Sequence, residues 1–126
     1  MYLNDLAKKI HSNSVKHGFY KDNPHIATQL MLVVSELSEA LEADQKGKHS
    51  VSPEFYDKMF YIKGYLAEHF NQDFENKTKD SFEDEIADAI IRLLDMAAWK
   101  NINIEKHIKL KMRYNATRPY LHGKKY

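Results

Sequence analysis

Residues 83–98 read EDEIADAIIRLLDMAA. Ile86, Ala87, Ile90, Ile91, Leu93, Leu94, Ala97 and Ala98 recur at helical spacing and spread over a very broad apolar arc. A helix apolar over so wide an arc is expected at the centre of a bundle, contacted from more than one side. The remaining surface is acidic. Asp84, Glu85, Asp88 and Asp95 share one side, with only Arg92 among them. Like charges four apart each cost a helix a few tenths of a kcal/mol, so an unrelieved acidic face is easier to understand with something cationic on it.

Outward from this segment the periodicity stays helical. A first helix is expected over 3–16, ending at His17–Gly18. A second opens at Asn23–Pro24, where Asn suits the cap and Pro the first turn, and runs to about 45, short of Gly47. Its apolar stripe is Leu30, Val33, Val34, Leu37 and Leu41. A third starts at Ser52–Pro53 with the stripe Phe55, Met59, Ile62, Leu66 and Phe70, followed by a polar loop over 71–79. The acidic helix opens near Asp80–Ser81 and runs to about 100. Asn103 caps a last helix over 104–117, which Pro119 ends. Three prolines, four glycines and no sustained period-two alternation argue against an all-β chain. The expectation is an all-α, four-helix-bundle-like single domain over 1–126, with one extra helix inserted at about 51–79.

Composition narrows the function classes. The chain has 126 residues and no cysteine, which removes disulfides, thiolate zinc sites and a cysteine nucleophile and fits a cytoplasmic setting. No apolar run reaches the ~20 residues of a membrane span, no signal sequence is visible, and HExxH and glycine-rich phosphate loops are missing. The net charge of +1 is a cancellation. Residues 24–44 hold four acids and no Lys or Arg, and residues 80–98 hold six acids against one Arg. Residues 100–126 hold eight Lys and Arg against one acid.

Two acidic pairs stand out. Glu36 and Glu39, and Glu85 and Asp88, are each three apart, which puts both carboxylates of a pair on one helical face. Pairs from neighbouring helices facing each other would form an oxygen-only site of the kind Mg2+ takes. Spacing alone leaves solvated helix faces as the alternative. Glu36 and Glu39 lie opposite the apolar stripe of their helix, so they meet either solvent or a second helix layer, and only the second option makes a site. Lys111, Asn115 and Arg118 fall on one face of the last helix, with His122, Lys124 and Lys125 beyond it. Such a wall suits phosphate, Arg as a fork and Lys as a point charge; a merely solubilising basic tail is the alternative.

Three stretches together resemble the MazG-like all-α nucleoside triphosphate pyrophosphohydrolases: SELSEALEADQKGK (35–48), EDEIADAIIRLLDMAA (83–98) and KMRYNATRPYLHGKKY (111–126). IHSNSVKHGFY (10–20) is similar to their first helix. Two features depart from the family pattern: Ser35 stands where many members have a further Glu, and 45 residues separate Glu39 from Glu85. The resemblance implies Mg2+, with Mn2+ as a substitute, held by Glu36, Glu39, Glu85 and Asp88. It implies conversion of a nucleoside triphosphate and water to the monophosphate and pyrophosphate, for nucleotide-pool house-cleaning. Glu36 and Glu39 would act in catalysis, Glu39 taking the proton of the attacking water. Lys111, Asn115, Arg118, His122 and Lys124 would hold substrate. Asp95 would support the ligands, and Phe19 or Tyr20 would touch the base or join the core. His11 and Asn13 read as polar surface or core residues, and Trp99 as packing. The expected partners are the nucleotide and further copies of the chain, as homodimer or homotetramer, without stable nucleic acid or membrane. A specific dUTP or dCTP hydrolase, or a non-catalytic nucleotide- or partner-binding helical module, are the alternatives.

Overall fold

The structure is a computed structural model that describes residues 2–125. Among the described residues it is all-helical, with α1 Leu3–Lys16, α2 Ile26–Gln45, α3 Pro53–Phe60, α4 Ala67–Lys77, α5 Phe82–Trp99, α6 Ile104–Ala116 and a short 3-10 turn at Tyr120–Gly123. No described helix is long and apolar enough to cross a membrane. The residues gather into two compact units, 25–92 and 2–24 with 93–125, so α5 contributes to both.

Caps explain several boundaries. Ser81 accepts from the Asp84 N–H (3.2 Å) and starts α5. Asn103 accepts from the Lys106 N–H (3.1 Å) and starts α6. Ser52 receives the Glu54 N–H ahead of Pro53 and starts α3. The expected cap of α2 is two residues early. Asn23 sits in the left-handed region (φ 48°) outside the helix, and His25 is the residue before α2.

The insertion differs from expectation, because it holds two helices rather than one followed by a loop. α3 ends at Phe60, the chain turns through Gly64 at φ 87°, and a new helix starts at Ala67. The Leu66 N–H is then taken by the His69 ring (2.9 Å). The polar stretch expected as loop is helical through Lys77. Phe70 and Phe74 lie against each other on one side of α4, ring centroids 6.0 Å apart and the planes tilted, and Lys77 pairs with Asp73 (2.9 Å) one turn back. Polar residues here cover a helix that one aromatic row anchors.

The larger correction concerns α2. Its apolar stripe was expected to face the core, yet Leu30, Val34, Leu37 and Leu41 are each about half exposed. The buried residues are Val33, Glu36, Ala40 and Ala43. Within the unit of residues 25–92, α2 thus turns its small residues, Val33 and Glu36 inward, while Glu39 stays exposed. Among the described residues the buried apolar set is Ala7, Val33, Ala40, Ala43, Ala89, Leu94 and Ala97, five of them alanine.

In the other unit α1 lies along α6. The Leu3 N–H donates to Glu105 (2.6 Å), Asn4 Nδ2 donates to Asn103 (2.8 Å), and the Glu105 N–H returns a bond to Asn4 (3.2 Å). Asp95 binds His11 Nδ1 and Ser14 Oγ, both at 2.8 Å. The Tyr20 ring meets His11 edge-on (4.5 Å between centroids) and packs on Trp99 at 5.5 Å.

Candidate metal centre

The inward face of α2 meets the first half of α5, and this is where the carboxylates converge. Donor oxygens of Glu36, Glu39 and Glu85 all lie within 4.8 Å of one another. Helical spacing on α2 places Glu36 and Glu39 one turn apart. Ala40 and Ala43 beside them add no bulk, which lets α5 come close. Glu85 is 4% exposed, and its Oε2 is buried with no hydrogen-bond partner. An unpaired buried carboxylate oxygen is costly, of the order of several kcal/mol when charged.

Charge regulation in the cluster is lopsided. Burial, then the contacts with Glu36 and Glu39, push Glu85 up from 4.5 to about 8. Burial also acts on Glu36, but hydrogen bonds from Arg92 and from the neighbouring carboxyls outweigh it and hold Glu36 below its ordinary value. Arg92 Nε reaches Glu36 Oε1 at 2.9 Å. These contacts favour a proton on Glu85 and a charge on Glu36. A divalent cation is the natural replacement for the Glu85 proton, since its positive charge would let the buried carboxyl ionise.

Asp88, the fourth expected ligand, is half-buried but lies outside this group. Burial, then the charges of Asp84 and Glu36, raise its pKa. A second group instead joins Glu85 to Asp80 and Asp84, again within 4.8 Å. Asp84 carried a signal in the sequence as part of the unrelieved acidic face, and Asp80 as the acid at which the helix opens, but neither was among the expected ligands.

A cavity of about 270 Å³ opens beside the cluster, lined by Glu39, Glu42, Ala43, Lys46, Lys48, Asp80 and Glu85. The turn after α2 builds one wall. Gly47 takes φ 67°, and the Lys48 carbonyl accepts the Phe82 N–H (2.9 Å) at the start of α5. Glu83 then holds both the Ser50 N–H and His49 Nδ1, each at 2.9 Å. These ties fix Lys48 at the cavity. Lys46 and Lys48 were not among the expected substrate-binding residues, although both sit in the KGK end of the stretch that carries the ExxE pair.

No family model, no curated protein and no solved structure matches this chain. The site therefore stands on its own geometry.

The expected phosphate-binding residues lie in the other unit. Lys111 Nζ is 5.0 Å and the Arg118 guanidinium 5.5 Å from the Tyr114 ring centroid, so one aromatic ring carries both cations. Asn115 Oδ1 is buried without a hydrogen-bond partner. Arg118 also reaches the His122 carbonyl at 3.4 Å. Leu121 and His122 both have positive φ, which folds the tail back in a tight turn, and Lys124 beyond it is exposed. Asp95 is committed to His11 and Ser14 in this same unit, and Phe19 is exposed while Tyr20 packs on Trp99.

Proposed function

We propose that the protein is a Mg2+-dependent nucleoside triphosphate pyrophosphohydrolase of the MazG-like kind, releasing pyrophosphate and a nucleoside monophosphate. The observation that carries this reading is the convergence of Glu36, Glu39 and Glu85 around an orphaned, buried carboxylate oxygen. A chain that needed only stability would gain from an apolar residue at position 85. Oxygen-only donors on rigid helices, open to a cavity, fit a hard divalent ion better than a soft one.

Bound Mg2+ would supply charge neutralisation on the phosphates and acidify a water. The residues divide the remaining work. Glu36, tied to Arg92, and Glu85 orient the ligand set. Glu39 is exposed at the cavity and is the base placed to take the proton of the attacking water. Lys46 and Lys48 on the cavity wall meet negative charge on the triphosphate, and Lys111 and Arg118 are the further phosphate-binding residues in this proposal.

The small-residue core and the open stripe of α2 support association of copies. Leu30, Val34, Leu37 and Leu41 repeat at spacings of four, three and four, the seam of a helix that pairs with another helix. Such a row left in water is unusual for a monomer. Homodimer or homotetramer assembly is part of the proposal.

The direct test is pyrophosphate release across a panel of nucleoside triphosphates with and without Mg2+. Release that requires the metal and is lost in Glu39→Gln supports the enzyme. Nucleotide binding without turnover would favour a non-catalytic binding module instead.

A further inference from the structure

A second cavity, of about 380 Å³, lies in the same unit between the inserted helices and the start of α5. That volume falls within the roughly 300–1,000 Å³ of small-ligand pockets. Its walls are aromatic. Tyr56 contacts Phe70 edge-on at 5.6 Å between centroids and Phe74 at 6.5 Å. The Tyr56 hydroxyl is anchored to Thr78 Oγ1 (2.5 Å), which also bonds Ser50 Oγ (2.9 Å). These contacts hold the rings in place before any ligand arrives. Ala87 of α5 also lines the cavity with no more than a methyl group, which leaves room.

The polar lining has one sign. Asp57, Glu83 and Asp84 line the cavity, and no Lys, Arg or His does. Glu83 is occupied by Ser50 and His49, and Asp84 gives one oxygen to the Asp80 N–H. Asp57 and the second oxygen of Asp84 are left as acceptors. A phosphate would be repelled here, whereas a flat ring with N–H groups on its edge would stack on the aromatics and donate to the carboxylates.

The cavity and the carboxylate cluster draw on neighbouring residues of α5. Asp84 lines the cavity and lies with Asp80 and Glu85 in the second carboxylate group, and Glu85 is a member of the first. Neighbouring residues of one helix thus serve the two places.

We propose that this cavity binds the base of the substrate, and that it selects bases with an exocyclic amino group over those with a carbonyl at the same position. The proposal rests on the nucleotide reading of the carboxylate cluster and names the part of the nucleotide that the cluster leaves unheld. Cytosine offers an amino donor to Asp57 and Asp84, whereas uracil presents a carbonyl oxygen to the same carboxylates. An insertion that builds a ring site makes base choice a property of α3 and α4.

Two measurements on the full chain test this and separate it from the enzyme proposal. The first needs neither metal nor turnover: 2′-deoxycytidine and 2′-deoxyuridine are titrated in EDTA while the methyl resonances of Ala87 and Thr78 are followed. Deoxycytidine is expected to shift both and deoxyuridine to shift them less. The second compares dCTP and dUTP turnover in the parent, in Ala87→Phe, which fills the cavity, and in Asp57→Asn, which changes only an exposed carboxylate. Ala87→Phe is expected to raise KM for dCTP about tenfold, and Asp57→Asn to narrow the preference for dCTP. Turnover with parent-like kinetics in both variants and silent methyl resonances would overturn the ring site and leave the enzyme proposal standing. Methyl shifts without turnover of any triphosphate would support the ring site and remove the enzyme proposal. Silence in both would remove both.

Discussion

Replacing Glu85 by Gln should stabilise the metal-free protein, and only on the alkaline side. Glu85 is 4% exposed and faces Glu36 and Glu39, and burial with these neighbours raises its pKa from 4.5 to about 8. In the unfolded chain the same carboxyl ionises near its ordinary value. Between the two values the folded state binds more protons than the unfolded state, so stability falls as pH rises from 4.5 toward 8 and is level above that. At ~1.4 kcal/mol per pH unit the ceiling for the whole displacement is about 5 kcal/mol. Glu36 moves downward through the same contacts, so part of this returns through the shared titration. A net loss of about 2 kcal/mol is the working figure. Gln keeps the shape and removes the charge. Urea unfolding in EDTA at about pH 5 and about pH 9, read by far-UV circular dichroism, should show the two proteins close at the lower pH. At the higher pH the variant should be about 2 kcal/mol more stable. Excess Mg2+ should then raise the stability of the parent and leave the variant unmoved. A variant that is less stable than the parent at about pH 9, or that follows the same pH profile, would refute the reasoning.

Three further outcomes are expected. Arg92→Met leaves Glu36 without its partner and should cost about 1 kcal/mol at neutral pH. Because Arg92 holds Glu36 below its ordinary value, the stability it contributes is present above 4.5 and fades as pH falls through the lower folded value. The acid limb of the variant's unfolding curve should therefore be shallower. Leu37→Glu with Leu41→Glu places charge on the open α2 stripe and should convert a sedimenting dimer or tetramer to monomer, with helix content kept; a parent that already sediments as monomer contradicts the association. Lys48→Ala and Arg118→Ala should each raise KM for the triphosphate about tenfold, and unchanged KM would remove these residues from phosphate binding.

The helices were legible where local chemistry decides them. Ser81, Asn103 and the Ser52–Pro53 step start helices as their side chains suggest. The insertion was less legible, because the helix stops at Phe60 and turns through Gly64 within a stripe that reads as continuous, and because Phe70 and Phe74 anchor a helix whose remaining residues are mostly polar. The α2 stripe misled most. Hydrophobic period tells which face avoids water but not whether the cover comes from the same chain, and here the chain buries a neighbouring face that carries Val33, two alanines and Glu36. That burial is what brings Glu36 and Glu39 to Glu85. Spacing grouped Asp88 with Glu85, whereas in three dimensions Asp80 and Asp84 come closer to Glu85, a relation set by the first turn of α5 and the residues just before it. Lys48 was hidden because its place depends on the Gly47 turn and on the bond from Phe82.

The central claim is that the Glu36, Glu39 and Glu85 carboxylates hold a divalent cation. Mn2+ binding followed by electron paramagnetic resonance tests it without turnover. The parent is expected to take up Mn2+, Mg2+ to displace it, and Glu39→Gln and Glu85→Gln each to weaken uptake by about tenfold or more. Uptake in both variants equal to that of the parent would contradict it.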